Sequence, residues 1–206
     1  MLISVIIPCY NGSKYLPEAI TSLRQQGMEI EIIVIDDGST DGTAKIAKSL
    51  GCIVRTIPNS GAATARNTGL KLATGDFILF QDHDDLMKKG ALANLLAPLK
   101  QNSSLSAVMG QAIDFISPDI SPEEMRLLAP RTQPYYGFLS GAALFRRDIF
   151  DIIGSFTESL ITGETVDFLM RLKESGLPTI KIETITVARR LHSNNTGRTM
   201  KKQEHK

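Results

Sequence analysis

Over roughly the first eighty residues, short apolar runs rich in β-branched side chains alternate with stretches whose apolar residues recur at helical spacing. Few folds accommodate that alternation. Ile3 to Ile7 reads as a buried strand. Ser13 opens a helix with Leu16, Ile20 and Leu23 on one face and Gly27 as its stop. Glu31 to Ile35 is a second strand, ended by Asp36-Asp37-Gly38, and Thr40 or Asp41 caps a helix that runs to Gly51. A third strand over Cys52 to Ile57, a small-residue helix over Gly61 to Ala73 and a fourth strand over Phe77 to Phe80 continue the series. The pattern predicts an α/β fold, with a Rossmann-like, mostly parallel central sheet flanked by helices.

The second half is less regular. Helices are expected over Gly90 to Lys100, Glu123 to Leu128 and Glu164 to Ser175, and strands over Leu105 to Met109, Phe138 to Phe145 and Thr184 to Arg190. Pro118, Pro122, Pro130 and Pro134 mark the stretch from Asp114 to Tyr136 as mostly loop. No linker divides the chain. A single domain is expected over residues 1–195, followed by a polar, basic and disordered tail over 196–206.

Composition narrows the class. With 42% hydrophobic and 22% charged residues the chain reads as soluble and globular, and a net charge of +1 offers no basic field for nucleic acid. Cys9 and Cys52 form no CxxC pair or Cys/His cluster, which fits reduced thiols in the cytoplasm and a buried Cys9. The start, MLISVIIPCYN, lacks the features of a signal peptide, and no apolar run approaches the ~18–20 residues that span a bilayer. Peripheral contact with the inner face of a membrane stays open.

In open α/β sheets, ligands bind outside the carboxyl ends of the strands. Here those ends carry Pro8, Tyr10 and Asn11, then Asp36 and Asp37, then Gln81-Asp82-His83-Asp84-Asp85. Three carboxylates within four residues repel one another unless a cation sits among them. Asp82 and Asp84, two apart on an extended segment, can face one hard cation. A solvated acidic turn is the competing reading. Asp36-Asp37-Gly38-Ser39, taken alone, reads more simply as a turn and helix cap. Arg66, in the small-residue segment Gly61 to Gly69, can hold either a nucleotide phosphate or a neighbouring Asp.

The stretches SVIIPCYNGSKYLPEAITSLRQQ, EIIVIDDGSTDGT, NSGAATARNTGLKLATGDFILFQDHDD and GAALFRRDIFDIIGSFTESL, in that order, resemble family 2 glycosyltransferases with the A-type nucleotide-sugar-binding fold. The resemblance runs from Leu2 to about Asn195. It implies metal-dependent, inverting transfer of a sugar from a nucleotide-diphosphate donor, typically a UDP-sugar, to the hydroxyl of a glycan, lipid-linked or peptide acceptor. It further implies that Pro8, Tyr10 and Asp37 line the base and ribose pocket, with Asp37 accepting from a uracil N–H. Arg66 would lie beside the nucleotide, Asp82 near the ribose, and Asp84 on a Mn²⁺ or Mg²⁺ ion. RRLHSNN resembles the family's closing segment, placing His192 at the metal or diphosphate, with Arg189 and Arg190 adding positive charge. A surface histidine is the plain alternative.

One departure stands out. Where the family carries Glu-Asp, the Asp being the general base, this chain has Glu164-Thr165. Threonine cannot accept a proton near neutral pH. Helical spacing puts Glu164 and Asp167 on one face, so either carboxylate can substitute, although Asp167 also stands four residues before Arg171 as an ordinary helix ion pair. Glu164 is preferred. The rival is a domain that binds nucleotide-sugar with little or no turnover. The segment after the first strand, Pro8-Cys9-Tyr10-Asn11, lacks the Gly-rich basic loop of nucleotidyl transfer and the GxGxxG of hydride transfer.

Overall fold

The computed structural model describes residues 1–137, 139–193 and 195. The first half follows the predicted alternation: β1 (Ile3–Cys9), α1 (Leu16–Arg24), β2 (Ile30–Asp36), α2 (Thr43–Ser49), β3 (Ile53–Thr56), α3 (Ala62–Leu72) and β4 (Phe77–Phe80). The second half adds a short strand β5 (Leu86–Met87), α4 (Ala91–Gln101), β6 (Ala107–Ile116), α5 (Pro122–Arg126), β7 (Ala143–Arg146), α6 (Ile149–Ile153), α7 (Glu164–Glu174) and β8 (Thr179–Leu191).

All eight strands join one sheet in the order β3-β2-β1-β4-β7-β6-β8-β5. β1 pairs in parallel with β2 and β4, and β2 in parallel with β3. β7 runs antiparallel to both β4 and β6, while β6 and β8 are parallel. The expectation of a mostly parallel sheet therefore holds, with β7 and β5 as the reversed strands.

Side chains alternate across the sheet and build two apolar layers. Ile3, Val5 and Ile7 of β1 pack with Leu16, Leu23, Leu92 and Leu96 of α1 and α4. Ile6 faces the other way, with Ile33, Ile35 and a cluster of phenylalanines. In that cluster Phe156 meets Phe80 edge-on at 4.9 Å and stacks on Phe168 at 4.7 Å. Buried rings of this kind dominate core energetics, each pair adding ~0.5–1.5 kcal/mol beyond its area. The layer fixes α7 and the segment around Phe156 beneath β4.

The structure adjusts several sequence readings. β6 and β8 are longer than the expected Leu105 to Met109 and Thr184 to Arg190. Their outer halves are only partly buried and mix polar with apolar residues, which hides a strand from a hydrophobicity reading. A bulge around Gly110 lets the two strands approach, since a Cβ there would lie 2.3 Å from the Thr186 side chain. The strand expected over Phe138 to Phe145 is instead a 3₁₀ turn at Ser140–Ala142 leading into β7. Phe138 lies outside the described residues, as do 196–206, where the sequence leads one to expect the disordered tail.

Candidate active site

The ends of β2, β1 and β4 are neighbours in the sheet, so the loops that follow them meet by construction. Hydrogen bonds lace the loops after β1 and β2 together. The N–H groups of Asn11, Gly12 and Ser13 donate to Ser39 Oγ, Thr43 Oγ1 and Asp41 Oδ2 at 2.9, 2.9 and 3.0 Å. Asn11 Oδ1 in return accepts from the Thr40 N–H at 2.9 Å. Neither expected cap sits at the start of α2, whose N-cap is Gly42 in the left-handed conformation with no side-chain cap; Asp41 instead accepts from the Thr43 N–H two residues on, at 3.1 Å. Burial pushes the Asp41 carboxyl up, but hydrogen bonds from Thr43 and Ser13 outweigh it and bring it down to about 2. Gly12 admits the third loop, because a Cβ there would sit 2.5 Å from the His83 ring and 2.3 Å from Cys9 Sγ.

Asp36 and Asp37 divide their work. Asp36 Oδ1 accepts from the Ser39 N–H at 3.2 Å and its Oδ2 from the Thr56 hydroxyl at 3.2 Å, which fits the turn reading. Buried Asp37 accepts from the N–H groups of Ser60 and Gly61 at 2.7 and 2.9 Å, one on each carboxylate oxygen. Each oxygen keeps a second lone pair for another donor. Pro8 is buried in β1, and Tyr10 just beyond it is 48% exposed, leaving its ring free as a stacking surface.

Arg66 stands at the centre. Its side chain is 5% exposed and donates from Nη1 to Glu164 Oε1 at 2.6 Å and from Nη2 to Asp82 Oδ1 at 3.0 Å. The guanidinium also lies 5.4 Å from the centre of the Phe156 ring, and its buried Nε has no hydrogen-bond partner among the described residues. The next residue, Asn67, clamps Phe156 by bonds to its N–H and C=O, both at 2.9 Å, and donates to Glu158 at 2.8 Å. Of the two readings of Arg66, contact with a neighbouring Asp is present. Glu164 Oε2 carries no hydrogen bond among the described residues, whereas its Oε1 belongs to Arg66.

Asp167 does form the pair with Arg171, at 2.9 Å, and its Oδ2 also accepts from the Thr157 hydroxyl at 2.8 Å. The Thr157 hydrogen bond and then the Arg171 guanidinium hold the Asp167 carboxyl below its usual range. Thr165 is half-buried in the first turn of α7.

The acidic loop meets the end of β8. His192 Nε2 lies 2.9 Å from Asp84 Oδ2, and the Asn195 amide donates to the same oxygen at 3.3 Å. Burial pushes the Asp84 carboxyl up, but the His192 hydrogen bond and the charges of His83 and His192 prevail and hold it low. Asp85 is buried and raised well above the carboxylate range, first by desolvation and then by the charges of Asp84 and Asp82. His192 is buried, at 6% exposure, which excludes the surface-histidine alternative.

Arg189 and Arg190 depart from expectation, which has both supplying positive charge for a diphosphate. Arg190 is buried, with its nitrogens committed to Asp84, Ser117 and Glu18, and Arg189 faces Asp114 at 4.0 Å. Neighbouring strand residues point to opposite sides. That period-2 rule is the available signal that Arg190 and His192 share a side and Arg189 does not.

Among the described residues, no three His, Cys, Asp or Glu side chains form a closed metal cage. Asp84 and His192 are the donors in contact here, while Asp82 is paired with Arg66; an oxygen-seeking ion held at Asp84 would draw the rest of its shell from outside the protein.

The sequence pattern of glycosyl transferase family 2 matches residues 4–157. A glycosyltransferase of uncharacterised activity from Haemophilus influenzae is 26% identical over 183 residues, covering 83% of this chain and 62% of its own length. One from Rickettsia typhi is 34% identical over 173 residues, covering 77% of this chain and 54% of its own. The chain thus spans little more than half the length of these relatives. Among solved structures, residues 1–349 of TarS from S. aureus in complex with UDP-GlcNAc superpose with a TM-score of 0.75 at 25% identity, covering 95% of this chain and 60% of that one. The architecture is the A-type fold that the resemblance implied.

Proposed function

The chain belongs to glycosyl transferase family 2, and from that premise we propose that it moves a sugar from a UDP-sugar onto an acceptor hydroxyl, with residues 1–195 as the working unit. One observation carries the reading. The ends of β1, β2 and β4 set Tyr10, Asp37 and the Asp82–Asp84 loop side by side, with Arg66 buried beneath and joined to Glu164 on α7. The UDP-GlcNAc held by the TarS neighbour supports a uridine donor. Asp37 accepts the base N–H, Pro8 and Tyr10 line the base and ribose, and Asp82 lies toward the ribose. Asp84, with His192 beside it, holds Mn²⁺ or Mg²⁺, which when bound neutralises the donor diphosphate.

The acceptor oxygen attacks the anomeric carbon as the bond to the diphosphate breaks, with inversion. Its proton passes to Glu164 Oε2, the oxygen that Arg66 leaves free. Asp167 is the weaker candidate base, because Arg171 and Thr157 occupy it. No helix among the described residues is long and apolar enough to cross a membrane. We place the reaction in the cytoplasm, at or away from the inner face of a membrane.

A second reading is favoured by a specific feature: Thr165 supplies no carboxylate, and protonating Glu164 weakens its pair with a buried guanidinium. A domain that binds donor without turning it over fits that feature. Melting curves with UDP, GDP and ADP, with and without Mn²⁺, test the main reading. UDP with Mn²⁺ stabilises most, by about 2.7 kcal/mol at 100 times its dissociation constant, and Asp84→Ala abolishes the Mn²⁺-dependent part. Equal shifts for all three nucleotides sink the uridine assignment. Slow hydrolysis of UDP-sugar by the parent excludes the binding-only reading.

A further inference from the structure

Arg190 stands one residue before the end of β8 and is 2% exposed. Burial this complete is rare for arginine unless every donor finds a partner. Its backbone N–H donates to Asp85 Oδ1 at 2.9 Å, and its Nε donates to the Asp84 carbonyl at 2.9 Å. Nη1 reaches Ser117 Oγ at 3.2 Å and Nη2 reaches Glu18 Oε2 at 2.5 Å. The rings of Tyr15 and Phe115 lie 4.8 and 4.7 Å from the guanidinium carbon. Two residues on, His192 holds the Asp84 carboxylate, and the Tyr15 ring lies 4.8 Å from the His192 ring as well. One strand end therefore grips Asp84 twice, by its backbone through Arg190 and by its side chain through His192.

We propose that Arg190 is a positioning residue for the divalent cation. It fixes the Asp84–Asp85 backbone so that the Asp84 carboxylate is presented at one place and angle. The inference rests on the reading of Asp84 as a cation ligand. The fork of the guanidinium is what the task requires: Nε serves Asp84 while Nη1 and Nη2 are anchored on two other segments, the one after β6 and helix α1. Lysine keeps the charge but cannot span three anchors. Arg190 does not contact the donor, and its effect passes through Asp84.

The test titrates Mn²⁺ into the protein in the presence of UDP, following free Mn²⁺ by electron paramagnetic resonance. Partners outside the ligand shell typically cost 10–100-fold in metal affinity when lost. Arg190→Met weakens Mn²⁺ binding by about that factor, and Arg190→Lys weakens it less. Phe145→Leu, a core change remote from the loop, lowers the melting temperature but binds Mn²⁺ as the parent does. If neither Arg190 variant folds, Glu18→Gln decides: its side chain is 59% exposed, so the core survives, and Mn²⁺ binding weakens in the same direction. Unchanged affinity in the folded variants overturns the positioning role alone. Equal loss in Phe145→Leu overturns it too, by reducing the effect to general stability. A parent that binds no Mn²⁺ with UDP overturns both this inference and the metal reading beneath it.

Discussion

Replacing Glu164 by Gln separates the ion pair that the structure shows from the general-base role proposed for the same side chain. Glu164 Oε1 accepts from Arg66 Nη1 at 2.6 Å, with the two side chains 14% and 5% exposed. A hydrogen bond to a charged group contributes about 1.5–3 kcal/mol, and a neutral one about 0.5–1.5. Glutamine keeps an acceptor at the same place, so the expected loss is about 1–2 kcal/mol. For a domain of this size that lowers the melting temperature by about 2–8 °C. Arg66→Met costs more, about 3–5 kcal/mol, because it leaves Glu164 and Asp82 as unpaired, half-buried carboxylates. The double variant should lose less than the sum of the two, since the neutral glutamine amide no longer needs a cation. Denaturant melts of all four proteins measure the difference. Additivity within about 0.5 kcal/mol refutes the coupling. Turnover is the second readout. A general base typically contributes about 10²–10⁴-fold, so under the proposed role Glu164→Gln loses that factor with donor affinity nearly unchanged. Full turnover alongside the expected loss of stability leaves the ion pair standing and removes Glu164 as the base.

Asp167→Asn acts on stability alone: its pair with Arg171 is partly exposed and worth about 0.3–1 kcal/mol. A fall in turnover comparable to that of Glu164→Gln moves the base to Asp167. Asp41→Ala tests the lacing of the first two loops by pH. The folded-state value of Asp41, about 2, lies below its ordinary 3.8. Its charged form therefore stabilises the protein above pH 3.8, and that contribution is lost as pH falls toward 2. The gap in melting temperature between parent and Asp41→Ala is widest near neutral pH and narrows in acid. A gap that stays constant down to pH 2 rules out the hydrogen-bonded carboxylate as its source.

The elements of the first half, and the loops that carry its polar residues, are legible in the sequence. Local signals suffice there, because β-branched runs, helical spacing and Gly or Asp stops all act within a few residues of one another. With β2, β1 and β4 side by side in parallel, their carboxyl ends meet and bring the Asp37 and Asp82–Asp84 loops together; that β4 pairs with β1, while β3 lies beyond β2, is decided by the tertiary structure. How those residues are occupied depends on contacts that form only when the chain folds. Arg66 and Glu164 are ninety-eight positions apart, and no local pattern tells whether Arg66 turns to a phosphate or bridges two carboxylates. Arg190 reads as a free cation in the sequence. Strand β8 carries it between α1 and the acidic loop, where desolvation demands a partner for every donor. The half-exposed outer parts of β6 and β8 stay hidden for the converse reason. They are strands because of their hydrogen bonds to each other, and a pairing between distant segments leaves no periodic mark in either one.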